Sequence, residues 1–275
     1  MSDAFARCYL LVFGQLAVGG FMALSAPPFH DIERGFFKST ASVYLAAALA
    51  TFAGLLTLAL EATSPGWQRW FEVGTWAAFC VSGAVYVASL WGEAVALRAR
   101  AFTVTLLTGV IAATVSAEMY RLAGVLSLET ILYPLNLLLA SLCLGAVATG
   151  MMLGHWYLID TGLPIEPLVR IFRLFVAALA LQAGAGVTSL LLLWFLGAPA
   201  TLQQLHLLFD DHLVLLAARV ATAPLAAAGL AWMIWRTLLV PQTMAATGLF
   251  YIATLSVIVG ELLGRFILFR TSLPL

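Results

Sequence analysis

Charge is scarce in this chain. Asp, Glu, Lys and Arg make up 9% of its 275 residues, against about 25% in an average soluble protein, and the mean hydropathy is +1.03. That excludes a water-soluble domain: lipid must solvate most of the surface, where only structures that satisfy their own backbone hydrogen bonds survive. Cysteine is rare too. Cys8, Cys80 and Cys143 lie in separate apolar stretches without paired spacing, so they read as small buried hydrophobes rather than ligands of a metal or iron–sulfur cluster. No HExxH motif, phosphate loop or catalytic triad occurs, and no complete catalytic site is expected in this chain alone. The formal net charge is zero and no basic run is present, so nothing points to nucleic acid.

What the chain has in abundance is long apolar runs. A spanning helix needs about 20 apolar residues, and such runs lie near 5–26, 41–61, 72–92, 101–120, 131–154, 172–197, 212–235 and 244–268. They predict an all-α fold, a polytopic transmembrane bundle of about eight helices with short loops, forming one integral membrane domain over residues 1–275. Met1-Ser2-Asp3 lacks the positive leader of a signal peptide, so the first run is expected to remain as a span. Pro27-Pro28, Ser64-Pro65-Gly66, Pro164, Pro167, Pro199 and Pro241 punctuate the runs, since proline lacks an N–H and disfavours helix before it. Between the first two runs, residues 27–38 mix charge with aromatics and predict a short interfacial helix. Trp67, Trp70, Trp91, Trp156, Tyr157, Trp194, Trp232 and Trp235 fall near run ends, the pattern of a headgroup-level aromatic belt. Gly150-x-x-x-Gly154 and Gly260-x-x-x-Gly264 mark close helix contacts.

Short-loop Lys and Arg set orientation. Seven (Arg34, Lys38, Arg98, Arg100, Arg170, Arg173, Arg236) fall on one side and five (Arg7, Arg69, Arg121, Arg265, Arg270) on the other. The richer side is taken as cytoplasmic, which places both termini outside a cytoplasmic (inner) membrane.

Ionisable groups inside a span are costly and face a partner, a cavity or a pathway. Towards the outer side lie Glu118 and Arg121, Asn136, the Asp210-Asp211-His212 stretch, Arg219, Glu261 and Arg265. Glu261 and Arg265 are four apart and share a helix face in the favourable acid-then-base order. Arg219, seven positions past His212 and thus roughly 10 Å deeper, needs a carboxylate that Glu261 or Glu118 can supply. Two readings stay open. One is a structural ion pair between the seventh and eighth spans. The other is a pocket for a quinone or similar head group, with His212 or Asp211 exchanging protons with the outer phase. On the inner side, His30 and His155 are secondary candidates for a quinone-site wall, whereas a haem is not expected. Gln15 and Gln182, both mid-span, suit interhelical hydrogen bonds. No internal repeat and no broken mid-span helix is evident, which weighs against a transporter built on inverted repeats.

The stretch Gly260-Glu261-Leu262-Leu263-Gly264-Arg265-Phe266-Ile267-Leu268-Phe269 resembles the last helix of the NrfD/DmsC-type anchors, eight-span subunits of polysulfide- and dimethyl sulfoxide-reductase-like complexes. Glu261, Gly264, Arg265 and Phe266 match that family's Glu-x-x-Gly-Arg-Phe stretch, whereas His30 and the Gly154-His155-Trp156-Tyr157 turn depart from it. The resemblance implies a haem-free membrane anchor of an oxidoreductase complex. Such an anchor exchanges electrons between quinone (menaquinone included) and an extracytoplasmic iron–sulfur partner, or a cytochrome. Two alternatives stand beside it: a non-catalytic accessory or assembly subunit of a larger membrane complex, and a small-solute transporter.

Overall fold

In the computed structural model, residues 2–124, 126–160 and 162–274 are described, residues 2–5 by their backbone alone. Met1, on which part of the signal-peptide expectation rests, lies outside them. The chain is helical almost throughout, with no strand among the described residues. Eight helical stretches are long and apolar enough to cross a membrane: an integral membrane bundle, as the apolar runs predict.

The helices are α1 (Ser2–Ala23), α2 (Arg34–Glu61), α3 (Trp67–Ser89), α4 (Val95–Glu118), α5 (Glu129–Ile159) and α6 (Glu166–Leu196). They continue with α7 (Pro199–Asp211), α8 (Leu213–Val220), a π-helical turn (Ala221–Ala226), α9 (Ala227–Leu238) and α10 (Thr243–Thr271). The seventh span is α8, the π turn and α9 in line. We call the face carrying the start of α1 and the end of α10 proximal and the other distal.

α5 is the hub, packing on α1, α4, α6 and α10, and 72% of its most apolar stretch is buried. Small residues make this possible. A Cβ on Gly19 would stand 1.6 Å from the Ser141 carbonyl oxygen, and one on Gly145 would stand 1.9 Å from the Gly19 carbonyl carbon, so α1 and α5 touch backbone to backbone. Gly150 and Gly154 accept Phe250 and Thr247 of α10, and Gly260 lies against Ala223 of the π turn, the close contacts that the two glycine pairs predict. By contrast, only 22% and 11% of the most apolar stretches of the sixth and seventh spans are buried, so these two form the periphery. At the end of α10, Ser272 adopts φ 53° and caps the helix in the left-handed region.

Three expectations need correction. Residues 27–33 are turns and bends rather than an interfacial helix, and Arg34 opens α2 directly. Phe36 and Phe37, taken as interfacial, are buried in the core, because burying two rings outweighs laying them on the headgroups. The seventh span is not a continuous α-helix. Pro224 offers no N–H and would clash with a carbonyl one turn back, and the chain answers with the π turn, where Ser256 donates to the Thr222 carbonyl at 2.7 Å. Hydropathy passes over that break because every side chain around it is small or apolar. Finally, residues 199–211 form an amphipathic helix with Thr201, Leu205 and Leu208 buried, so Asp210 and Asp211 end α7 instead of starting the seventh span.

Candidate functional site

Two buried carboxylates organise the polar interior. The first is Glu261, ten residues before the end of α10 and hence about 15 Å from it. It is 0% exposed. Gln15 Nε2 of α1 donates to its Oε2 at 2.7 Å, and Gln182 Nε2 of α6 donates to its Oε1 at 2.6 Å. Arg265 Nη2 reaches Oε2 at 3.3 Å and Arg219 Nη2 stands 3.7 Å from Oε1. Both mid-span glutamines thus make the interhelical bonds their positions predict, and of the two acids open to Arg219 the fold selects Glu261. This carboxylate ties α1, α6, α8 and α10 together, and none of it is exposed.

The remaining sequence candidates on the proximal face go elsewhere. Glu118 pairs with Arg121, whose Nη1 also donates to Thr130 at 3.0 Å. Glu129 accepts the backbone N–H groups of Leu122 and Ala123 at 2.8 Å each, and the Thr201 hydroxyl from α7. These contacts staple the α4–α5 connection and dock α7. Asn136 donates to Ser189 at 2.6 Å. Asp211 is exposed and His212 half-buried at the α7–α8 junction, and among the described residues neither bonds to Arg219 or Glu261. On the distal face each histidine has its own neighbour: His30 lies 3.4 Å from Asp31, and His155 Nδ1 lies 3.2 Å from the Tyr251 hydroxyl. Among the described residues no group of three or more His, Cys, Asp or Glu converges to hold a metal ion.

The second carboxylate is Glu72 of α3, 6% exposed, which the apolar runs do not single out. They place the third span's start at Glu72 itself, where an acid is unremarkable, but α3 begins at Trp67 and carries Glu72 more than a turn inwards. There Trp76 Nε1 donates to Ser116 Oγ at 2.9 Å, and Ser116 Oγ donates to Glu72 Oε1 at 2.6 Å. The chain fixes one carboxylate oxygen, and Oε2 has no hydrogen-bond partner among the described residues. Glu72 lines a cavity of about 60 Å³ with Arg7, Arg69, Met119, Tyr120, Leu55 and Leu58, where α1 to α4 meet at the proximal face. Neither arginine forms an ion pair with Glu72 among the described residues. A buried acid, two guanidinium groups and a phenol thus face one small space, room for a few waters or for the polar edge of a ring. Tyr120 also lines a water-sized space of about 10 Å³ with Arg265 and Tyr133, so the two polar centres are neighbours through one side chain.

A third feature is apolar. Between α6 and the seventh span run cavities of about 460, 600 and 270 Å³. Adjacent ones share walls: Phe172, Val176 and Ala180 for the first two, Leu179, Pro224 and Leu225 for the last two. Polar side chains stand at both ends of the run, Arg173 in the first cavity and Gln182 with Arg219 in the last.

No protein-family model matches this chain, and neither the curated proteins nor the solved structures hold a match to it.

Proposed function

We propose that this chain is the membrane-embedded subunit of an electron-transfer complex and that quinol is oxidised, or quinone reduced, at the Glu72 cavity. One observation carries the reading. Glu72 is sunk in the bundle with a free oxygen on a cavity at the membrane boundary, beside two arginines that do not neutralise it by contact. A buried acid without a direct counter-charge is expensive and marks a site of proton exchange more readily than one of packing.

The chemistry follows from the groups present. Oxidation of a quinol releases two protons and two electrons. Glu72 Oε2 accepts a proton from the quinol hydroxyl while Ser116, steadied by Trp76, holds Oε1. Arg7 and Arg69 favour the quinolate that forms, as positioned charge does for any developing anion. Both protons leave to the proximal aqueous phase, the second through Glu72 once it has released the first. The electrons pass to an iron–sulfur or haem partner docked on that face. The resemblance at Glu261, Gly264, Arg265 and Phe266 supports the same class of complex. Within this reading the Glu261 cluster is the frame, not the site.

A purely structural role in such a complex has one observation on its side: Glu118, Glu129 and Glu261 all serve to tie helices. Purification of the tagged chain in mild detergent tests the reading. Stoichiometric redox subunits that are reduced by added quinol are expected; a chain that emerges alone, or only with copies of itself, would contradict it.

A further inference from the structure

Beside the Glu72 cavity the molecule offers a second place for a lipid-soluble ligand, and its chemistry is different. From Leu216 to Leu239 the seventh span lines one wall of the cavities against α6, a length of roughly 35 Å, the full depth of a bilayer's hydrocarbon core. The walls are apolar between two polar ends, an exposed Arg173 towards the distal face and Arg219 with Gln182 towards the proximal one. There the Arg219 guanidinium is only partly spent. Its Nε is buried without a hydrogen-bond partner, and its approach to Glu261, 3.7 Å, lies beyond hydrogen-bonding distance. The amide of Gln182 stands beside it. This end has donors to offer and no free base, since both Glu261 oxygens already accept from the glutamines.

We infer that this groove holds a prenylquinone as a bound cofactor, its carbonyl oxygen on Arg219 and Gln182 and its polyprenyl tail laid along α6 towards Trp235. The inference rests on the reading of the chain as quinone-handling and adds a site distinct from the Glu72 cavity. Chain length selects the occupant. An acyl chain covers one leaflet, about half the core depth, and would leave much of the groove unfilled; a polyprenyl tail fills it. Donor chemistry selects the head, because a carbonyl accepts hydrogen bonds without a proton having to move. The π turn contributes directly: Pro224 and Leu225 line both upper cavities, so the widened helix shapes the wall behind the head group. With no base in reach, this quinone exchanges no protons and stays bound while substrate quinol turns over at Glu72.

The test takes the assembled complex in mild detergent and quantifies prenylquinone, phospholipid and fatty acid in one solvent extract by mass spectrometry. Wild type is expected to retain stoichiometric prenylquinone. Ala180→Trp and Ala228→Phe, which fill the groove without touching the ion cluster, should reduce it to background, as should Arg219→Leu if that variant assembles. Glu72→Gln should retain it while losing quinol turnover. An extract without quinone, or quinone unaffected by the two groove-filling variants, overturns the inference, as does a stoichiometric phospholipid or fatty acid displaced by them. Quinone lost from Glu72→Gln alone would place it in the cavity and also overturn the groove. A complex that loses quinone from the groove variants yet never oxidises quinol would support the groove and contradict the function proposed for Glu72.

Discussion

Glu261 and Glu72 are both acids sunk among helices, and they are held in opposite ways. Glu261 meets donors from two other helices and one from its own, and the charge of Arg219 from a third; Glu72 meets one hydroxyl and an open space. The first arrangement spends a carboxylate on architecture, because each donor it accepts is a helix held in place. The second leaves an oxygen free to gain and lose a proton, which function requires and stability does not. Depth alone therefore does not identify a site in a membrane protein. What matters is how much hydrogen-bonding capacity remains after the fold has been satisfied.

The comparison breaks first at Glu261. Glu261→Ala strands two guanidinium groups and two amides inside the bilayer, and removing one partner of a buried pair costs about 3–5 kcal/mol. Folded yield and the thermal midpoint in detergent should collapse. If the variant were as stable as wild type, Glu261 would not be the frame.

Glu72→Gln is expected to leave the midpoint nearly unchanged and to lower quinol turnover about 100-fold or more, the usual contribution of a positioned base. A large loss of stability with no change in turnover per assembled complex would reverse the two roles.

Much of this contrast was legible in the sequence, and the missing part has a physical cause. The i,i+4 spacing of Glu261 and Arg265 gives their pairing, and mid-span positions give the bonds of Gln15 and Gln182, since a polar group in an apolar run must find a partner. Glu72 escapes because it stands where hydropathy turns apolar. A window average cannot tell a residue at the membrane boundary from one carried a turn inwards by an earlier helix start at Trp67. The π turn escapes for the converse reason: Pro224 lies in a run so apolar that its missing N–H leaves no mark on hydropathy. α7 is too polar on one face to register as a span, and only tertiary contact with Glu129 reveals its docking.

A smaller effect sharpens the role of the frame. Gly19→Ala pushes a methyl into the Ser141 carbonyl, and overpacking of this kind costs about 1–3 kcal/mol. The thermal midpoint should fall while the pH dependence of turnover keeps its wild-type shape, because Gly19 lies more than three turns along α1 from Arg7, the residue by which that helix lines the Glu72 cavity. A changed pH profile would mean that the frame tunes the site directly.

The smallest effect lies on the distal face, where Arg34 pairs with Glu93 at 3.1 Å. The hydrogen bond and charge of Arg34 hold the Glu93 carboxyl below its usual range. Its contribution is therefore present above the unfolded value of about 4.3 and fades as pH falls through the lower folded value. The pair is solvent-exposed, so the midpoint difference between neutral and acid pH should shrink only slightly in Arg34→Ala. A large change would show that the distal loops matter more to stability than the central cluster allows.

The account stands or falls on Glu72 in the assembled complex. Quinol turnover measured across pH for wild type and Glu72→Gln, at matched subunit composition, tests it most directly. A loss of about 100-fold, together with disappearance of the ionisation that governs the wild-type profile, is the predicted result. Turnover and pH profile identical to wild type would contradict it.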